Sequence, residues 1–217
     1  MDGRGQGVNA MSLKLQVDQL VANEPTPLKL QIGCGLNLLP GWINTDSQPV
    51  ATADYLDFTR PFPFAANAFD AVFCEHTIEH IEKAEALKMI AEVFRVLKPG
   101  GRFRVVTPSL ENFCRLAIEP QSPMAQTYLG FHRRYTGDAQ ATMADAVNRI
   151  FYGHGHRHIY ATNELALMLQ QAGFVEIKAM PAGTYGHSIF QDVDGHGRVI
   201  GADINAIEAM ALEAAKP

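Results

Sequence analysis

The chain has 217 residues, 47% of them hydrophobic and 19% charged, with a formal net charge of −5 and a pI near 5.9. That length buries a core without a metal or disulfide staple, the balance excludes wholesale disorder, and the acidic charge argues against a general grip on nucleic acid, which wants a basic face. No apolar run approaches the roughly 18 residues of a membrane span. The opening MDGRGQGVNAMSLKLQ lacks a signal-peptide core, and three widely spaced cysteines (Cys34, Cys74, Cys114) read as reduced thiols, so a cytoplasmic single domain is expected.

Residues 1–11 are Gly-rich and polar and are expected to be frayed, with Met11 an alternative start. Residues 12–22 carry Leu13, Val17, Leu20 and Val21 at helical spacing until Pro25 and Pro27 stop the pattern. Strands are predicted over 28–32, running into Gly33-Cys34-Gly35; over 42–46, entered by Pro40-Gly41 and ending on an acid; over 52–56; and over 68–74, after a Pro-rich turn. The spacing of Leu87, Ile90, Ala91, Phe94 and Leu97 predicts a helix over 84–97 with that stripe in the core, ended by Lys98-Pro99-Gly100-Gly101. A strand over 102–107 follows. A helix is then expected from Thr162 as N-cap, through Leu165, Met168 and Leu169, to a Gly173 cap, with strands over 174–180 and within 209–216.

Alternating strand and helix is the pattern of a parallel, doubly wound α/β sheet. Residues 108–160 break it with Pro, Gly, His and Arg at weak periodicity, and a helical insertion or lid is expected there. Its five arginines against Glu111, Glu119, Asp138 and Asp145 give it a net +1.

The turn at Gly33-Cys34-Gly35 brings backbone N–H groups close to a ligand, or is simply a tight βα turn. Asp46 lies eleven residues past Gly35 at the end of the next strand, where a carboxylate can accept both hydroxyls of a ribose. A dinucleotide fingerprint wants a third glycine that faces pyrophosphate; Leu38 stands there and no glycine occupies 36–39, so a cofactor without phosphate fits better.

Gly33-Cys34-Gly35 and Pro40-Gly41-Trp42-Ile43-Asn44-Thr45-Asp46 resemble a class I S-adenosylmethionine-dependent methyltransferase of the methyltransferase type 11 kind. The resemblance continues in order through Asp57-Phe58, Pro63-Phe64, Phe69-Asp70-Ala71-Val72, Glu75-His76-Thr77-Ile78-Glu79-His80, Leu97-Lys98-Pro99-Gly100-Gly101, His158-Ile159-Tyr160 and Gly173-Phe174, covering about 28–180. It implies a Rossmann-like seven-stranded sheet with the last strand antiparallel, and S-adenosyl-L-methionine as cofactor with S-adenosyl-L-homocysteine as product. By position it implies that Gly33, Cys34 and Gly35 line the cofactor, Asp46 binds the ribose and Ser47 lies beside the adenine. Asp57 and Phe58 would meet the adenine, and Glu75 and His76 the methionine end. Gln31 stands where many members have an acid holding the cofactor's amino group; it accepts a hydrogen bond but brings no charge.

Methyl transfer needs an aligned nucleophile and, for a hydroxyl, a base near neutral pH, for which histidine suits. His80, four residues after His76, is the first candidate, with local packing the alternative; His158 and Tyr160 are the second, with a helix-entry loop the alternative. His154, His156 and His158 alternate as metal ligands do on a strand, but no Cys or carboxylate accompanies them, and no metal is expected. His187 and His196 add little. Arg115, Arg133, Arg134, Arg149 and Arg157 either greet an anionic acceptor or form solvated surface. Cys34 reads as a small buried residue rather than a nucleophile. The expected function is methylation of a small-molecule acceptor on oxygen or nitrogen, without nucleic acid or membrane partners and with a homodimer left open. An NAD(P)-dependent oxidoreductase and a non-catalytic S-adenosylmethionine-binding protein stand as alternatives.

Overall fold

A computed structural model describes residues 13, 17–19, 27–50 and 52–217. The predicted fraying of residues 1–11 lies outside them, as does most of the first predicted helix; of that helix, Leu13 and Val17 are helical and fully buried.

Seven strands form one sheet in the order β3-β2-β1-β4-β5-β7-β6. β1 (Lys29–Ile32), β2 (Ile43–Asp46), β3 (Asp54–Tyr55), β4 (Phe69–Glu75) and β5 (Leu97–Pro108) run parallel, while β7 (Ala209–Ala215) lies antiparallel between β5 and β6 (Val175–Pro181). The expected fold is therefore present, including the antiparallel last strand. Within the central β4, residues 71–74 are apolar and buried because helices or loops cover both faces there.

On one face, α1 (Lys83–Val96) and α5 (Thr162–Gln171) pack over Val72, Phe103 and Leu212. The buried side of α1 is Ala86, Met89, Ile90, Val93 and Val96, so the predicted stripe needs correction: Leu87 is 38% exposed. The face is rotated by one position, toward the sheet that α1 covers beside α5. Phe94 is only half-buried and rests edge-on against Phe174; a Cβ on Gly173 would lie 2.9 Å from its Cζ, which is why glycine ends α5. Thr162 is not the N-cap but the first helical residue. Its N–H is satisfied by Glu111 Oε1 at 2.7 Å, so no cap from its own side chain is needed.

Three helices fill the break in the alternation: α2 (Leu110–Ile118), α3 (Pro123–Thr136) and α4 (Met143–Tyr152). They form their own small core around Phe113, Leu116, Tyr128, Leu129 and Ile150. Ser109, Ser122 and Thr142 cap them through side-chain oxygens. The short α6 (His196–Ile200) and α7 (Ala202–Glu208) lead into β7, with Ile204 inside the helical core. Among the described residues no helix is long and apolar enough to cross a membrane.

One charged cluster is buried in this frame. Arg104 of β5 is fully buried; its Nε donates to Asp194 Oδ1 at 2.8 Å and its Nη1 to Glu213 Oε1 at 2.9 Å. Asp194 also accepts from Gly183 N and Glu213 from Gly186 N, so a strand side chain ties down the 183–194 loop that leads to the cleft. Sequence patterning gives no sign of it, since an arginine in a strand ordinarily faces water.

Candidate active site

The parallel strands end along one edge, and the loops after β1, β2 and β4 line a cavity of about 580 Å³ there. Gly33 takes φ +67° and packs so tightly on Thr77 that a Cβ would lie 2.1 Å from Thr77 Oγ1. The loop is locked to the second strand: Cys34 N donates to Thr45 O at 3.0 Å and Gly35 N to Asp46 Oδ2 at 2.9 Å. Asp46 Oδ1 accepts from Gln48 N at 2.8 Å, which holds the carboxylate at the cavity wall with lone pairs of both oxygens still open. Asp57, across the cavity, is held by Thr59 N and Oγ1 at 3.0 and 2.6 Å.

A second cavity of about 300 Å³ lies beside the first, between Cys34, Asn37 and Glu75 and the start of α6. Glu75 accepts from Gly195 N at 2.8 Å and from His196 N at 3.2 Å, pulling that segment over the strand ends. Burial pushes the Glu75 carboxyl up, against those two bonds and the His76 charge. Burial, then the Asp46 carboxylate, pushes the Cys34 thiol up to about 11, which disqualifies it as a thiolate nucleophile near neutral pH.

A third cavity, about 310 Å³, opens between the strand ends and α3 and α4. All three cavities meet at His76. This residue follows β4 directly and takes φ +46°, a left-handed conformation uncommon without glycine, which swings its ring into the junction. Its Nδ1 lies 3.1 Å from Oε1 of the fully buried Glu79, whose Oε2 accepts from Thr107 Oγ1 at 2.9 Å. Nε2 is buried and has no protein partner. Burial alone would lower the His76 pKa, but the Glu79 hydrogen bond and charge, with Glu208 and Glu75 behind them, hold it above the ordinary imidazole value.

The ring packs, tilted by 45°, with its centroid 4.0 Å from that of His196, whose Nε2 lies 3.2 Å from Glu208 Oε1; Glu208 Oε2 accepts from Tyr128 OH at 3.0 Å. Two groups of potential metal donors come together here: His76, His196 and Glu208; and Glu79, His80 and His156. In both, each carboxylate already holds hydrogen-bonding partners within the protein.

The residues expected at the cofactor sort by position. Gly33, Gly35, Asp46, Ser47, Asp57, Phe58 and His76 line the largest cavity, and Cys34 and Glu75 the second. Gln31 lines neither: it is 2% exposed beneath the loop, its Nε2 donates to Asn37 O at 3.0 Å, and its Oε1 is without a partner. Of the proposed bases, His80 lines both the first and third cavities, and burial lowers its pKa.

His158 and Tyr160 line none of these cavities and need correction. His158 Nε2 is engaged by the Glu164 carboxylate at 3.1 Å, and Tyr160 is fully buried in the core. The alternating histidines do not converge either, because they lie on a turn rather than a strand: His156 Nδ1 sits 2.7 Å from Ile150 O, while His158 turns to Glu164.

Glu79, Tyr128, His196 and Glu208 have no role in the sequence reading. Only Glu79 had a local signal, an acid three residues after His76; the others arrive from distant elements.

Residues 3–105 match the family described as "Methyltransferase domain". The chain is 29% identical over 128 residues to the ubiquinone/menaquinone biosynthesis C-methyltransferase UbiE of Desulfotalea psychrophila, covering 57% of this chain and 48% of that protein. It is 30% identical over 115 residues to the UbiE of Salmonella paratyphi B, covering 53% and 42%. The chain thus spans under half the length of these curated relatives. A solved structure described as a SAM-dependent methyltransferase from Archaeoglobus fulgidus superposes with a TM-score of 0.50 at 14% identity, covering 95% of this chain and 94% of that one, a likeness of fold.

Proposed function

We propose that the chain, which belongs to the class I S-adenosylmethionine-dependent methyltransferases by its residues 3–105 and its fold, transfers a methyl group to a small-molecule acceptor held in the cavity beneath α3 and α4. The observation that carries this reading is the meeting of three cavities at one imidazole, His76.

The cleft fits S-adenosylmethionine. Gly35, with nothing within 4 Å of where a Cβ would stand, leaves room for close approach over the first loop, Asp46 and Asp57 offer carboxylate acceptors to a ribose and an adenine amino group, and no Lys or Arg lines that cavity. A pyrophosphate there would face two carboxylates and no Lys or Arg, which counts against an NAD(P)-dependent oxidoreductase. Cys34 and Glu75 border the neighbouring cavity, into which a methionine chain would run. The buried Gln31 Oε1, still without a donor, lies under that loop.

S-adenosylmethionine supplies an activated methyl on a cationic sulfonium, so the protein has to align a nucleophile, exclude water and take up a proton. Glu79 fixes His76 with Nδ1 as the protonated nitrogen, leaving Nε2 free to accept the acceptor's proton. His76 thus replaces His158 and Tyr160 as the base, with His80 on the rim of both cavities. Nε2 suits a hydroxyl or amine acceptor. The UbiE relatives are C-methyltransferases, so product analysis has to include methylation on carbon.

A thermal-shift titration tests the reading. A ligand at 100 times its dissociation constant stabilises the fold by about 2.7 kcal/mol, so S-adenosylhomocysteine should raise the melting temperature and NADH should not. Asp46→Ala should abolish the shift. A response to NADH alone, or an undiminished shift in the variant, overturns the proposal.

A further inference from the structure

Arg149 projects from α4 into the third cavity without a counter-ion. Among the described residues it makes no ion pair; its Nε is buried with no hydrogen-bond partner, and its Cζ sits 5.0 Å over the Tyr135 ring. Two guanidiniums elsewhere in the fold are matched: the half-buried Arg95 by Glu92, and the fully buried Arg104 by Asp194 and Glu213. The acids lining the cavity are Glu79 and Glu208, and both are committed, the first to His76 and Thr107, the second to Tyr128 and His196. The nearby imidazoles His132, His154 and His156 add no negative charge.

A guanidinium over an aromatic ring, with the buried Nε–H of its fork unpartnered and no carboxylate paired to it, can still take an anionic partner. A carboxylate or phosphate accepts from such a fork in two parallel bonds. The remaining wall is apolar and aromatic, from Phe131, Tyr135, Ile150 and Ile200. The path from Arg149 to the catalytic imidazole runs through Tyr128, Glu208 and His196 along the same cavity.

We infer that Arg149 is an anion-binding subsite, and that the methyl acceptor is a compact molecule with an apolar or aromatic body, a terminal carboxylate or phosphate paired with Arg149, and a nucleophilic atom presented to His76. This rests on the methyltransferase reading above. Of the five arginines in the 108–160 segment, Arg149 alone has this environment; Arg133, by contrast, donates to Ala141 O at 2.8 Å.

The test is isothermal titration of protein saturated with S-adenosylhomocysteine, using paired probes: hydroxybenzoates and aminobenzoates against their amides, and phenyl phosphates against the parent phenols. At least one anionic probe should bind about tenfold or more tighter than its neutral partner, as expected for a charge-assisted bidentate pair. Arg149→Met should erase that preference and Arg149→Lys should retain part of it, with S-adenosylhomocysteine affinity unchanged in both. Which series binds tells carboxylate from phosphate. Equal binding of anionic and neutral probes, an undiminished preference in Arg149→Met, or no anionic binding by protein that does bind S-adenosylhomocysteine overturns the subsite. Failure to bind S-adenosylhomocysteine would instead overturn the underlying function.

Discussion

His76 shows how a single side chain acquires a role from its surroundings. Its backbone, at φ +46°, turns the ring out of the strand line, and the buried Glu79 carboxylate orients it while the buried Nε2 is left without a protein partner. A base has to be neutral to accept a proton. Because Glu79 outweighs burial and keeps the His76 pKa above the ordinary imidazole value, methyl transfer to a hydroxyl should be slow in acid and rise as pH passes that raised value. Glu79→Gln removes the charge and leaves the burial, so the acid limb of the kcat profile should move to lower pH; an unmoved limb would remove Glu79 from the relay. His76→Ala should lower kcat by about 10²–10⁴-fold, the usual worth of a general base. The pair His76 and Glu79 was readable in the motif as residues three apart. Its priority over His80 was not, because the φ of one residue and the burial of another decided it.

At the scale of elements, short strands end in loops that are each fixed by one or two polar bonds. The loop after β1 is fixed to the end of β2 through Gly35 and Asp46, and the segment before α6 is fixed to β4 through Glu75. Arg104 does the same inside the sheet, binding β5, β7 and the 183–194 loop through two carboxylates. Removing one partner of a buried charge cluster leaves the others uncompensated, so Arg104→Met should cost about 3–5 kcal/mol in equilibrium denaturation. A loss under about 1 kcal/mol would mean that the loop relaxes and water reaches Asp194 and Glu213. The strands, α1 and α5 were legible from periodicity. Their details were not: Leu87 leaves the core because α1 is rotated against the sheet, and Thr162 loses its capping role because Glu111 of α2 supplies the missing acceptor.

Across the whole molecule the cleft is built from two bodies of packing, a sheet that carries the loops after its parallel strands and a helical core that roofs the cavity proposed for the acceptor. Ligand binding should therefore register at segments far apart in the chain. With S-adenosylhomocysteine, amide hydrogen exchange should slow at 33–37, 46–48, 57–59 and 76–81, and also at 195–196, which Glu75 holds over the strand ends. Protection confined to the first four segments would detach the start of α6 from the site. The sequence by itself determined the α/β alternation, the glycine turn and the carboxylate of Asp46, because these are set by local backbone conformation and by spacing along one strand–loop unit. Tertiary structure alone decided the third cavity: Tyr128, Arg149, His196 and Glu208 lie on four helices or their ends, and only the packing of α3, α4, α6 and α7 against the strand ends brings them to His76. No pattern in the order of residues encodes such a meeting, since charges and imidazoles on separate helices have no fixed distance until the chain is folded.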